Sequence, residues 1–323
     1  MSNPPSISVV LSTYNRATLL GGAVRSLLAL DPTTPPYEIL VVDNNSKDDT
    51  RAVVDAMIPA SGGRLRYLFE GRQGVAYGRN TGAAAARAPI VVFTDDDVRA
   101  SPGWLVAYAR AFADHPEVDY AGGRVRPMWP APVPAWLTHA HSSPLALIDY
   151  GDDGFLITPE RFRVFVTANL AVRQDAFAAV GGLDPRFQHE PGAVTAMEDH
   201  EFQIRMQASG RRGWYEPAAA IDAEVQAERL TKAYHRRWAF DSGRVRAKAT
   251  PPGYQFDGDC TFTPEPAGAR KLLGAPLWMY RKTVESGMRA VRARLRRDEE
   301  NALWWECRAR HLAGSIHYYA TTR

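Results

Sequence analysis

Residues 90–97 read Ile-Val-Val-Phe-Thr-Asp-Asp-Asp, an apolar run that leads straight into three carboxylates. A short run rich in β-branched residues and closed by polar ones reads as a buried strand. Three more such runs precede it: Ile7–Ser12, Glu38–Val42 and Arg64–Phe69. Helical patterns separate them. Ala17–Leu30 places Leu19, Leu20, Ala23, Val24, Leu27 and Leu28 on one face. Asp49–Ile58 follows the cap-like cluster Ser46-Lys47-Asp48, and Val75–Arg87 is alanine-rich and stops before Pro89. This alternation predicts an α/β fold, a mostly parallel sheet covered by helices on both faces.

Past Pro102 the rhythm loosens. Trp104–Ala113 and Asp199–Ala208 have helical spacing, and Val118–Val125 and Val164–Val172 read as extended. Arg126–Pro144 is a proline-rich loop or lid with Trp129 and Trp136, and from Leu230 the pattern is helical, broken at Thr250–Pro266. A chain of 323 residues, 45% hydrophobic and 23% charged, can bury a sizeable core and is neither disordered nor fibrous in composition. Cys260 and Cys307 form no CxxC pair, which argues against a disulfide framework or zinc knuckle and fits a reducing cytosol. Met1–Arg16 lacks the basic start of a signal peptide, and no stretch approaches the roughly 18 apolar residues of a membrane span. The expected location is cytoplasmic, with peripheral contact at the inner face of the membrane left open.

The acidic triplet carries the chemistry. Adjacent carboxylates at a strand's C-terminal edge repel one another, and a divalent cation, Mn²⁺ or Mg²⁺, relieves that repulsion through hard oxygen ligands. Such an ion can bridge a diphosphate. The alternative is a solvated acidic turn. Two neighbouring strand ends favour the site: strand one runs into Ser12-Thr13-Tyr14-Asn15-Arg16, strand two into Asp43-Asn44-Asn45-Ser46. In an open α/β sheet these ends share one crevice, where Asp43 can accept from a base N–H and Tyr14 can lie against a base.

Taken together, Ile7–Arg16, Glu38–Thr50 (EILVVDNNSKDDT), Gly74–Arg87 (GVAYGRNTGAAAAR), Ile90–Leu105, Thr167–Asp184 (TANLAVRQDAFAAVGGLD) and Met197–Met206 (MEDHEFQIRM) resemble the family 2 glycosyltransferases of the GT-A fold. The likeness runs from about Ser6 to Gly243. It implies an inverting glycosyltransferase, with a catalytic domain over residues 1–228 (nucleotide-sugar half to about 100, acceptor half beyond) and a basic helical extension over 229–323. Ser12, Thr13, Tyr14, Asn15 and Asp43 would contact the nucleotide, commonly a uracil one, and Arg79 and Asn80 would help hold the nucleotide-sugar. Asp95 would approach the ribose or metal and Asp97 would ligate the metal, with Asp96 the other candidate. Glu198-Asp199 looks like the family's acidic base motif, Asp199 being the base. Trp129, Trp136 and Asn169 fall on the acceptor side, where the tryptophans either stack on a sugar or anchor the loop. Where many relatives carry a metal-completing histidine, this sequence has Glu224.

The chemistry agrees with the resemblance. An inverting displacement needs a carboxylate that takes the acceptor hydroxyl's proton from a segment opposite the diphosphate. Glu198 and Asp199 also open a helix, so a plain capping role is the competing explanation. Partners implied are a nucleotide-sugar donor and a saccharide, lipid-linked, protein or natural-product acceptor. Other classes fit less well. No G-x-G-x-x-G follows strand one, no G-x-x-x-x-G-K-[ST] occurs, and Ser12–Arg16 lacks the glycines of a sugar-nucleotide nucleotidyltransferase. An inactive glycan-binding relative would not need both acidic motifs, and no nucleic-acid motif is present.

Residues 268–323 hold 12 basic and 5 acidic side chains, whereas the rest holds 27 and 31. Leu277, Tyr280, Val284, Met288, Val291 and Leu295 recur at helical spacing among Arg281, Lys282, Arg289, Arg292, Arg296 and Arg297. A second helix, Glu300–Tyr319, carries Trp304, Trp305, Leu312, Ile316 and Tyr319. An apolar stripe most often faces a core, so packing on the body or on a second subunit is expected first, contact with an anionic membrane second.

Overall fold

The computed structural model describes residues 4–158, 161–189, 192–251, 254–256, 262–266 and 268–322. Cys260 lies outside them; the Cys307 thiol is free, and burial pushes its pKa up to about 11.

The first seven elements alternate as expected: β1 (Ile7–Thr13), α1 (Ala17–Leu28), β2 (Tyr37–Asp43), α2 (Thr50–Met57), β3 (Leu65–Phe69), α3 (Val75–Ala85) and β4 (Ile90–Asp95). There follow β5 (Val98–Ala100), α4 (Trp104–Asp114), β6 (Tyr120–Met128), β7 (Phe155–Ile157), β8 (Leu170–Arg173), α5 (Gln174–Ala179), α6 (Glu198–Ala208) and β9 (Gly213–Glu224). The sheet order is β3-β2-β1-β4-β8-β6-β9-β5, with β7 also on β9. Strands β1 to β4 run parallel, whereas β8 is antiparallel to both β4 and β6. Every residue of β1 and β2 is buried, as strands covered on both faces must be.

One reading needs correction, and one strand was missed. Within Val164–Val172 only the last residues are strand, because Thr167–Asn169 turns in a short 3₁₀ segment. Strand β9 was not legible, since Glu216-Pro217 and an alanine run have poor strand propensity. Its proline falls where the register against β6 slips between Gly123 and Val125, the kind of irregularity that tolerates proline.

The chain divides into two compact units, one of residues 1–128, 147–188 and 198–224, the other of 129–146, 189–197 and 225–323. The second unit is built on α7 (Lys232–Ala249), α8 (Leu277–Leu295) and α9 (Glu299–Thr321), with hairpins of β10 (Tyr254–Phe256) and β11 (Phe262–Pro264), and of β12 (Lys271–Leu272) and β13 (Ala275–Pro276). Helices α7 and α9 touch backbone to backbone at Gly243, where an added Cβ would lie 1.8 Å from the His311 carbonyl oxygen. Ser315 Oγ donates to the Gly243 carbonyl at 3.0 Å across the same crossing.

Candidate functional site

Three parallel strands end at one edge, and their loops are cross-linked. The Asn44 N–H donates to the Thr13 carbonyl at 2.9 Å, joining the ends of β1 and β2. Asn15 and Asn45 both take the left-handed conformation, which asparagine tolerates better than most residues. The Asn15 N–H donates to Ser46 Oγ (2.9 Å), and the Lys47 N–H donates to Asn15 Oδ1 (2.7 Å). Asp48 accepts from the Ala17 N–H at 3.0 Å, so the second loop caps helix α1. Asn15 therefore builds the cradle, while Tyr14 is 45% exposed at its rim.

Asp43 is buried and accepts from the Ser46 N–H and from the Tyr67 hydroxyl, both at 2.8 Å. Burial, reinforced by Asp43, pushes the Tyr67 hydroxyl up to about 12. Arg51 lies over the Tyr67 ring at 4.1 Å. Neither Tyr67 nor Arg51 was found by sequence reasoning, since each sits inside an ordinary strand or helix pattern.

The triplet splits by strand alternation. Asp96 turns inward, accepting from Thr13 Oγ1 (2.7 Å) and Arg16 (3.0 Å), and burial pushes its pKa up to about 6 despite Arg16. That location removes Asp96 from the metal candidates. Asp95 and Asp97 stay partly exposed, with Arg16 also donating to Asp97 at 2.9 Å. The Glu224 N–H donates to the Asp97 carbonyl at 2.8 Å, which places the end of β9 beside the triplet. Its carboxylate pairs with Arg99 at 2.9 Å. Among the described residues no three His, Cys, Asp or Glu side chains are arranged to hold a metal ion.

Arg79 departs most from expectation. Instead of facing a nucleotide it is buried, donating to Asp95 at 2.7 Å and to Glu198 at 2.9 Å. It thus ties the acidic turn after β4 to the acidic start of α6. Helix α3 comes close enough for this because of Gly78, where a Cβ would meet Ser12 Oγ at 2.3 Å. Asn80, one residue on, exchanges two hydrogen bonds with the Leu183 backbone (2.8 and 2.9 Å) and is a structural clamp, not a donor ligand.

Glu198 and Asp199 differ in access. Glu198 is buried, with one oxygen on Arg79 and the other without a hydrogen-bond partner. Asp199 is partly exposed. Burial pushes both pKa values up, and the Glu198 charge adds to the effect on Asp199, which reaches about 7. Gln203, another residue missed in the sequence, donates to the carbonyls of Phe165 (2.7 Å) and Asp199 (2.9 Å) and accepts from the Phe165 N–H. It fixes the first turn of α6.

Asn169 is a core residue, not an acceptor ligand. Trp104 Nε1 and the Tyr108 hydroxyl donate to its Oδ1, and its Nδ2 donates to the carbonyls of Arg124 and Ala219. All of its side-chain hydrogen-bonding groups are engaged inside the fold. Trp129 and Trp136 belong to the second unit. There Trp129 is 39% exposed, and Trp136 packs edge-on against His235 and His141. His235 is buried, which lowers its pKa to about 4.

Known proteins share this fold. The solved mannosyltransferase PcManGT from Pyrobaculum calidifontis, in complex with GDP-Man and Mn²⁺, matches with a TM-score of 0.56 at 21% identity over 77% of this chain and 65% of that one. S. aureus TarS 1–349 in complex with UDP matches with a TM-score of 0.53 at 16% identity over 97% and 91%. These likenesses show the GT-A type of fold. By sequence, the glucosyl-dolichyl phosphate glucuronosyltransferase of Haloferax volcanii is 28% identical over 222 residues, 68% of this chain and 69% of that protein. Validoxylamine A glucosyltransferase of Streptomyces hygroscopicus subsp. jinggangensis is 37% identical over 114 residues, 35% of this chain and only 26% of that enzyme. The sequence model of glycosyl transferase family 2 matches residues 8–181, more than half of the chain. That match spans β1, β2 and β4 and the polar ends described above, and the chain is a glycosyltransferase belonging to glycosyl transferase family 2.

Proposed function

We propose that the chain transfers a sugar with inversion from a nucleoside diphosphate sugar, a UDP-sugar by its family resemblance, to an acceptor hydroxyl. The observation that supports this reading is the Asp95–Arg79–Glu198 bridge, which ties the acidic turn to the first turn of α6, where Asp199 stands. In the reaction the acceptor oxygen attacks the anomeric carbon as the bond from that carbon to the diphosphate oxygen breaks. The nucleoside diphosphate leaves with the electron pair, and Asp199 takes the hydroxyl proton. Glu198, held by Arg79, is a positioning residue. A base near neutral pKa suits this role, because it is ionised at working pH yet still basic enough to accept the proton.

A divalent cation fits the donor set. Asp97 and Asp95 offer hard, partly exposed oxygens, and Mg²⁺-type sites commonly use one or two carboxylates with the substrate's phosphates supplying the rest. When bound, the ion would neutralise charge building on the leaving diphosphate. The Mn²⁺ in the PcManGT complex supports this choice. A panel of nucleotide sugars read by thermal shift tests it. One of them with Mn²⁺ or Mg²⁺ should raise Tm, a ligand at about 100 Kd stabilising by about 2.7 kcal/mol. Asp97→Ala should abolish the metal-dependent part of the shift. No shift from any nucleotide sugar with either metal would overturn the donor assignment.

The raised Asp199 pKa has two further consequences. Below about pH 7, kcat/KM should rise roughly tenfold per pH unit and then level off. Stability runs the other way. A carboxyl whose folded pKa lies above its ordinary 3.8 contributes stability in full below that value and loses it as pH rises to about 7. Tm should therefore decline between about pH 4 and 7 in the wild type, and less so in Asp199→Asn. Equal slopes in the two proteins would contradict the assignment.

A further inference from the structure

Helix α8 is apolar on two sides, and only one is covered. Met279, Ser286 and Ala290 are buried, the first in a cluster with Ala275 and Leu312. Of the stripe read in the sequence, Tyr280 packs against that cluster, whereas Leu277, Val284, Met288, Val291 and Leu295 are 37%, 62%, 53%, 55% and 80% exposed and are not covered by this chain. From Val284 the steps are four, three and four residues, which makes a continuous line along the helix.

The hairpin before α8 adds to it. Its tip, Leu272 and Leu273, is about half exposed, and Leu273 holds φ at 49°, a left-handed conformation that leucine rarely adopts. The Tyr280 hydroxyl donates to the Leu272 carbonyl and the Leu277 N–H to the Arg270 carbonyl, both at 2.8 Å, so the tip is tied to the helix's first turn.

Charge selects the occupant. Arg281, Lys282, Arg289, Arg292 and Arg294 lie on α8, whose one acid is Glu285, with Arg270 and Lys271 before it and Arg296 and Arg297 after. Glu306 of α9 pairs with Arg294 and Glu265 with Lys271, which still leaves the surface strongly positive. A second copy would bring the same excess of positive charge to its partner, whereas an anionic surface neutralises it. Among the described residues no helix is long and apolar enough to cross a membrane, so the apolar line is suited to lying at an interface. We propose that α8 and the Leu272–Leu273 tip dock on an anionic phospholipid surface, leucines and valines at the acyl boundary and arginines among the phosphates.

Co-sedimentation of the full chain with vesicles tests this. The chain should pellet with phosphatidylcholine vesicles containing about one-third phosphatidylglycerol at low salt. It should stay in solution with phosphatidylcholine alone, and should be released near 1 M salt, where the screening length is about 3 Å. Val284→Glu/Met288→Glu should cut partitioning at least about tenfold. Arg289→Gln/Arg292→Gln should cut it about fivefold for each cation removed. All four positions are exposed, and an unchanged circular dichroism spectrum verifies folding. Failure to pellet at low salt, or unchanged binding in both folded variants, would overturn the proposal. So would a dimer in sedimentation velocity that Met288→Glu dissociates, since it would assign the stripe to a second copy.

Discussion

Asp199→Asn is expected to lower the transfer rate by roughly 10³-fold, within the range for losing a positioned general base. The substitution keeps the size of the side chain and its place in the first turn of α6, so Michaelis constants for donor and acceptor should change little. Since the interaction lost is made only as the hydroxyl gives up its proton, kcat and kcat/KM should fall together. Thermal stability should hold or rise above neutral pH, because a partly buried charge beside Glu198 is removed. A variant that retains more than about a tenth of wild-type turnover would leave Asp199 as a helix-capping acid.

Arg79→Met should instead unfold the site. The guanidinium lies between Asp95 and Glu198, and both it and Glu198 are nearly inaccessible to solvent. Removing one partner of a buried ion pair leaves the other charge uncompensated, which costs about 3–5 kcal/mol. For a chain of this size Tm should drop by about 10 °C. Burial already holds the Glu198 pKa above its ordinary value, so Glu198 can escape the penalty by binding a proton. The loss should therefore be smaller near pH 5 than near pH 8. A drop of less than about 2 °C at pH 8 would mean that Arg79 does not carry the junction between β4 and α6.

The sequence is legible where local pattern and tertiary role coincide. Strands β1, β2 and β4 are short apolar runs buried on both faces, and their polar ends converge because parallel strands share a C-terminal edge. Side-chain direction was harder to read. Which of the three adjacent aspartates turns inward depends on Thr13 and Arg16, about 80 residues upstream. Arg79, Asn80 and Asn169 sit within recognisable motifs yet spend their polar groups on buried partners, so a motif match located them without giving their function. Strand β9 escaped because neighbours on both sides, not its own propensities, make it a strand. The α8 stripe was read correctly as apolar and basic, but periodicity alone does not say whether a face is covered.

A crystal structure of the full chain with Mn²⁺ and the nucleotide sugar that most raises Tm addresses the central claim most directly. The base should lie by Tyr14 and Asp43, the diphosphate over Asp95 and Asp97, and the anomeric carbon on the side of Asp199. A nucleotide bound away from the ends of β1, β2 and β4, or a sugar turned from Asp199 with no room for an acceptor between them, would contradict the account.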